Sequence, residues 1–188
     1  MKPYSEASER NRAPILAVLK RIFIDRKIVL EIGSGTGQHA AYFAPELAHL
    51  RWQASDVAAN LPDVRQWFAD AIELDVEGDW PQLEADAAFS ANTAHIMSWP
   101  QVEKMFKGVA RLLPRSGVFA LYGPFNYGGK HTSESNARFD AMLRGRDPAS
   151  GLRDFEKVKA LAETCGLPLV EDNPMPANNR LLVFVRGV

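Results

Sequence analysis

The sequence predicts an α/β domain built on a mostly parallel sheet, and three features carry that expectation. Short apolar runs alternate with stretches of helical period almost throughout the chain. One of these runs, Lys27-Ile28-Val29-Leu30, leads into the glycine-rich turn Gly33-Ser34-Gly35-Thr36-Gly37, and a helix-like segment follows from Gln38. The last two apolar runs are joined only by residues 173–179. That link is too short for a parallel crossover, so the pair should be antiparallel. The chain has 188 residues, 46% of them hydrophobic, which suits a single domain, 1–188, with a sizeable core.

The elements follow in order. Residues 14–24 form a helix, because Pro14 suits a first turn and Ile15, Leu19 and Ile22 make one apolar stripe. Strand 1 is 27–33. The helix from Gln38 through Phe43 meets Pro45, which should kink or end it. Strand 2 is 51–56. Asn60 caps a helix carrying Val64, Trp67 and Phe68. Strand 3 is 71–76 and strand 4 is 86–92. Ser98-Trp99-Pro100-Gln101 has the form of a capping box ahead of Val102, Met105, Phe106 and Val109. Residues 114–117 turn the chain into strand 5, 118–122. Residues 124–153 are rich in Gly, Ser, Asn and charge, with one short amphipathic segment (Phe139, Met142, Leu143). A long irregular insert of this kind reads as a lid on the substrate side. Within it, Ser133 is an N-cap. A helix at 154–164 stops at Gly166, and strands 6 (167–171) and 7 (180–186) close the chain.

Composition narrows the function. The net charge is −1 and the pI is near 6.4, which argues against nucleic acid as the main partner, since a basic stripe is its usual footprint. The single Cys165 forms no internal disulfide. Residues 1–6 are polar and lack an apolar signal core, and no uncharged apolar run approaches the ~20 residues of a membrane span. A cytoplasmic protein with no membrane segment is the expectation. The four histidines have no zinc-type spacing, so no metal is expected. A protein partner stays open.

A glycine-rich turn between strand and helix lets a ligand approach the backbone and the helix N-terminus. Asp56 ends strand 2 about 20 residues beyond that turn, where an acid meets ribose hydroxyls. Alone this does not separate one nucleotide-like cofactor from another. The spacing does: the dinucleotide fingerprint places its third glycine one position later, at Gln38. The pattern Glu31-x-Gly33-x-Gly35-x-Gly37 resembles motif I of the class I S-adenosylmethionine-dependent methyltransferases.

That resemblance implies a Rossmann-like seven-stranded sheet, order 3-2-1-4-5-7-6 with strand 7 antiparallel and helices on both faces. It implies S-adenosylmethionine as cofactor, S-adenosylhomocysteine as product, and a small-molecule methyl acceptor. Glu31, Gly33, Ser34, Gly35 and Gly37 would hold the methionine end, where an ammonium group explains an acid at Glu31. Asp56 would bind both ribose hydroxyls. Asp75 would meet the adenine amino group, and its neighbour Val76 would pack on the ring. The segment Ser90-Ala91-Asn92-Thr93-Ala94-His95 follows strand 4 and lacks the Asn-Pro-Pro-Tyr of nucleobase amino methyltransferases. Asn92 would orient the cofactor or a neighbouring loop.

His95 is either a general base, as an imidazole titrating near neutrality, or a histidine bonded to a loop carbonyl. Tyr127 is the second candidate base. Tyr122, Asn126, Lys130 and His131 follow or end strand 5 and are candidates to meet substrate, as are Met175 and Asn178 in the last hairpin. Tyr4, Arg10, Asn11 and Arg12 precede the first helix, where cations would meet the cofactor carboxylate. Residues 8–12, 123–125, 132–136, 139–140 and 175–179 further resemble a family of small methyltransferase-like proteins classed as a domain of unknown function. The sequence keeps open a non-catalytic cofactor- or partner-binding module of the same fold. Gln38 and Glu31 argue against a nicotinamide oxidoreductase, and no acidic groove for an aminopropyl transferase is evident.

Overall fold

The computed structural model describes residues 2–187; Met1 and Val188 lie outside the described residues. Helix α1 spans Glu6–Ile22. It begins two turns before Pro14, so Arg10, Asn11 and Arg12 lie within the helix rather than ahead of it. The Ser5 hydroxyl accepts the Ser8 N–H, Glu6 and Glu9 occupy the first turn, and Lys20 and Arg21 the last. These end effects, together with contacts made by Asn11, outweigh the one backbone bond that Pro14 removes.

Strand β1 (Ile28–Ile32) runs into the glycine turn, and α2 (Gln38–Glu46) follows, with Pro45 falling in its last turn. Strand β2 is Arg51–Asp56. The next helix, α3, is a single turn, Leu61–Val64. Asn60 does not cap it: the residue is already helical in backbone, and its amide instead donates to Asp56 Oδ1 at 2.9 Å. Trp67 and Phe68 therefore lie beyond the helix. Strand β3 is only Ile72–Glu73, paired with the end of β2, and β4 is Ala87–Ala91. Helix α4 (Trp99–Leu112) starts at the expected capping box, with both reciprocal bonds made between Ser98 and Gln101.

Strand β5 is Val118–Gly123. The following segment is more regular than its composition suggests. Strand β6 (Phe125–Asn126) pairs in parallel with β7 (Arg153–Asp154), and between them α5 runs thirteen residues, Glu134–Arg146, capped by Ser133. Asp140 ties this unit together, accepting from the Leu152 N–H at 2.7 Å, His131 Nε2 at 3.0 Å and Arg144 Nε at 3.1 Å. Burial alone would raise its carboxyl pKa; the bonds from His131, Leu152 and Arg144 more than offset that and hold it below the ordinary value. Helix α6 (Phe155–Thr164) leads to β8 (Leu169–Met175), a short helical turn at Pro176–Asn178, and β9 (Asn179–Val185).

The seven-stranded sheet has the order β3-β2-β1-β4-β5-β9-β8. Set aside the two short strands of the separate ladder, and this is the expected 3-2-1-4-5-7-6, with β9 antiparallel to both neighbours. Both faces are buried, which explains the near-continuous apolar strands. Val29, Ala87, Phe89 and Ala120 pack under α1 and α2. Their strand neighbours Leu30, Ala88, Phe119 and Leu121 face α4 and α6. Strand order reverses between β1 and β4, so their following loops part and leave a crevice. Among the described residues, no helix is long and apolar enough to cross a membrane.

Loss of the α4 cap should be felt globally. Ser98→Ala is expected to cost about 1 kcal/mol, read as a lower urea midpoint at unchanged m-value.

Candidate active site

The glycine turn sits above a buried acid. Glu31 lies beneath the turn, its carboxyl accepting from Trp52 Nε1 at 3.0 Å and the Ser34 hydroxyl at 2.9 Å. Burial pushes its pKa up to about 7, against the opposing pull of the two hydrogen bonds. Ser34 also accepts the Ser55 N–H, so its hydroxyl is committed to the fold. Gly33 and Gly35 do different work. Both have φ in the left-handed region, +73° and +60°. A Cβ on Gly33 would come within 2.7 Å of the Thr93 side chain, whereas one on Gly35 would meet nothing within 4 Å. Gly33 therefore serves a close loop contact, and Gly35 presents bare backbone to open space.

That space is a cavity of about 1000 Å³ at the carboxyl ends of β1, β2, β4 and β5. On one side it is bordered by Gly33, Ser34, Gly35, Asp56 and Asn60. Asp56 Oδ2 accepts the Gly35 N–H at 2.7 Å; Oδ1 accepts the Val57 N–H at 2.8 Å and the Asn60 amide. A carboxylate offers about four acceptor positions, so one stays open on Oδ2.

On the other side stand Asn92, Thr93, His95 and Tyr122, faced by Ser8 and Asn11 of α1 and by Asn136 and Phe139 of α5. Asn92 holds a left-handed backbone, φ 55°, which asparagine adopts more readily than most residues. His95 is buried and packs edge-on against Phe139, ring centroids 5.2 Å apart at 75°. Burial, with a smaller contribution from the Arg153 charge, lowers its pKa to about 4. His39, also on the cavity wall, is lowered to about 4 chiefly by burial. Its Nε2 lies 2.7 Å from Asn11 Oδ1, and Asn11 in turn hydrogen-bonds the Tyr122 hydroxyl. Burial raises that hydroxyl to about 12, with Asn11 opposing.

Several predicted site residues do not border this cavity. Glu31 is below the turn, and Gly37 opens α2, where a Cβ would sit 2.6 Å from the Val64 carbonyl. Asp75 is exposed and caps the Glu77 N–H at 2.9 Å in a local turn, while Val76 packs into the core on the α4 side. Both follow a strand that ends at Glu73, short of the predicted 76. Asn126 is buried in β6. Tyr127 stacks on Phe155 at 4.7 Å and donates to Asp172 at 2.9 Å. Burial and Asp172 push its hydroxyl far above the ordinary range, which does not suit a base at neutral pH. Lys130 is exposed, and His131 is held by Asp140. Met175 packs against the core, and Asn178 is exposed, though Pro176, Ala177 and Asn179 beside them reach the cavity. Sequence reasoning missed His39, Thr93 and Asn136. His39 stood one residue inside the helix that follows the glycine turn, which is the available signal for it.

A family described as "Protein of unknown function (DUF938)" matches residues 2–186. The chain belongs to this family. The fold of this DUF938 member is that of S-adenosylmethionine-dependent methyltransferases. It aligns over 97% of its length with an O-methyltransferase family protein from Burkholderia thailandensis (TM-score 0.82, 15% identity, 58% of that chain). It aligns over 96% with the mitomycin 7-O-methyltransferase MmcR (0.85, 16%, 54% of that chain). It aligns over 99% with human N-acetylserotonin methyltransferase in complex with SAM (0.75, 15%, 60% of that chain). The DUF938 chain thus spans little more than half the length of each.

Glu31 makes stability pH-dependent in a defined direction. Its native pKa, about 7, lies above the ordinary 4.5. The native state holds a proton that the unfolded chain has lost, so stability falls as pH rises from about 4.5 to about 7, by up to ~3 kcal/mol. Glu31→Gln keeps an acceptor for Trp52 and removes the charge. It should raise the urea midpoint at pH 8 much more than at pH 5; an equal effect at both would refute the burial argument.

Proposed function

We propose that this DUF938 protein is an S-adenosylmethionine-dependent methyltransferase acting on a small molecule. One observation carries the reading. A single cavity at the switch point joins an open glycine turn and a strand-end acid on one wall to a buried histidine and amide side chains on the other. The residues fit the cofactor. Gly35 leaves the space that a Cβ would fill, and Asp56 keeps an acceptor position for a ribose hydroxyl. Gly35 would carry the backbone approach, Gly33 would hold the turn against Thr93, and Asn92 would orient the cofactor from the β4 loop. Asp75 and Val76 take no role while they stand outside the cavity.

When bound, the cofactor supplies a methyl group on a sulfonium. The protein supplies position, dryness and a proton acceptor. Holding two reactants in line is worth ~7–11 kcal/mol in favourable cases. The segment 124–153 forms the lid side, with Asn136 and Phe139 closing over the acceptor. His95 is neutral at physiological pH and takes the acceptor's proton through a ring nitrogen.

Calorimetric titration tests the reading. S-adenosylmethionine and S-adenosylhomocysteine should bind at micromolar affinity or tighter, and NADH should not. Asp56→Ala should weaken both at least tenfold, roughly 1.4 kcal/mol. No binding by folded, ligand-free protein would overturn the proposal. Once an acceptor is found, His95→Ala should cut turnover about a hundredfold with S-adenosylhomocysteine affinity unchanged. Because His95 gains its proton only near pH 4, kcat/KM should stay flat from about pH 5.5 to 8; a limb near the ordinary imidazole pKa would remove His95 as the base.

A further inference from the structure

The chemistry of the acceptor wall narrows the substrate, an inference that rests on the methyltransferase reading. Among the described residues, two charged side chains border the cavity, Arg10 and Asp56. Arg10 is on the exposed side of α1, paired with Glu6 at 3.2 Å. Asp56 belongs to the glycine-turn side and already accepts three hydrogen bonds. The charges nearest the acceptor side are spent elsewhere. Asp140 answers His131, Arg144 and the Leu152 N–H. The buried Arg153 guanidinium gives its protons to the carbonyls of Ala94, Met97 and Ala149. Asp172 is taken by Tyr127 and Arg180.

What the acceptor side offers instead is neutral. Asn11, Asn92, Asn136 and Asn179 line it with amides. Asn136 donates to Thr132 and the Asn178 carbonyl, Asn179 donates to the Pro176 and Ala177 carbonyls, and Asn11 bonds His39 and Tyr122. That leaves the Asn92 amide and the side-chain oxygens of Asn136 and Asn179 to meet a ligand. Phe139, Tyr122 and His95 line it with rings, two of them already in edge-on contact. Burial keeps both wall histidines uncharged at neutral pH. A carboxylate or phosphate entering the acceptor side would shed its water with only Arg10, at the exposed rim and paired with Glu6, as a cation to meet it. An ammonium would meet no carboxylate on this side, with the Arg153 charge close behind the wall. A ring without charge would lose little and would stack or tilt against Phe139 at ordinary aromatic spacing.

We propose that the acceptor side of this cavity takes an uncharged, planar ring compound bearing hydroxyl or amide substituents. The ring packs against Phe139, and its polar groups are read by the Asn92 amide and the open side-chain oxygens of Asn136 and Asn179.

The test uses one ring with three charges: 4-hydroxyacetanilide, 4-hydroxybenzoate and tyramine, then the same three substituents on naphthalene. Binding is read by ligand-observed NMR, with and without saturating S-adenosylhomocysteine. The neutral member of each set should bind at least tenfold more tightly than its charged partners. Phe139→Ala should weaken the neutral member about tenfold while leaving S-adenosylhomocysteine affinity unchanged. Asn92→Asp, tolerable at a left-handed position, should move the preference toward tyramine. Equal or tighter binding of a charged member, or no binding of either neutral ring, overturns the inference. Failure of S-adenosylhomocysteine itself to bind is a separate result. It would overturn the methyltransferase reading, while a neutral-ring preference in the free protein would still stand.

Discussion

Gly33 and Thr93 touch across the point where the sheet reverses, and the site depends on that contact. The loop after β1 and the loop after β4 leave the sheet side by side and then separate. With hydrogen in place of a side chain at 33, the Thr93 side chain seats directly against the turn. Thr93 in turn bonds back to the Ala91 carbonyl, which fixes the β4 loop two residues before His95. One approach therefore sets the width of the crevice and the placement of both its walls. Any side chain at position 33 would drive the loops apart, and the left-handed φ adds strain.

Beside the Asp140 cluster, the rest of the site is held by polar groups that bond backbone carbonyls. Arg153 grips three carbonyls, two of them in the loop that follows His95's strand. The Gly151 N–H donates to the His95 carbonyl, and the Ser150 hydroxyl to that of Ile96. The segment 124–153 is thereby stitched to the β4 loop at its far end and to β5 at its near end. A buried guanidinium with no carboxylate in contact is costly unless its donors are bonded, and here Nε and both Nη2 protons bond carbonyls that close the loop. This fixes the cavity wall without placing a counter-charge inside the cavity.

Much of the fold is legible in the sequence because its signals are local. Strands β1, β4 and β5 follow from apolar runs, the turn from its glycines, α4 from Ser98 and Gln101, and the last hairpin from a short link. The failures are places where tertiary contacts decide. Pro14 reads as a helix start, yet the cap at Ser5 and the seat of Asn11 beside His39 and Tyr122 carry α1 two turns further back. Asn60 reads as a cap, yet its amide is drawn to Asp56. Residues 124–153 read as irregular, because nothing local announces that Asp140 will gather His131, Arg144 and Leu152 around a helix. For the site, topology names the strand ends, so Gly35, Asp56, Asn92, His95 and Tyr122 come together at one cavity. It does not say where a loop turns next. Tyr127 and His131 follow the same strand end as Tyr122, yet their polar atoms are taken up by Asp172 and Asp140.

Glu31 couples the glycine turn to charge. The carboxyl holds Trp52 and Ser34, and through Ser34 the backbone of Ser55, so it organises the base of the turn. Both bonds stabilise the ionised form, yet burial works more strongly the other way and leaves the group near half-protonated at neutral pH. Asp56, one strand over, adds a like charge that raises it further. A positive group settling over the turn would draw the proton off, since opposite charge favours the ionised acid. A negative one would drive the proton on. The same burial that makes Glu31 costly to ionise makes its protonation responsive to charge placed near the turn.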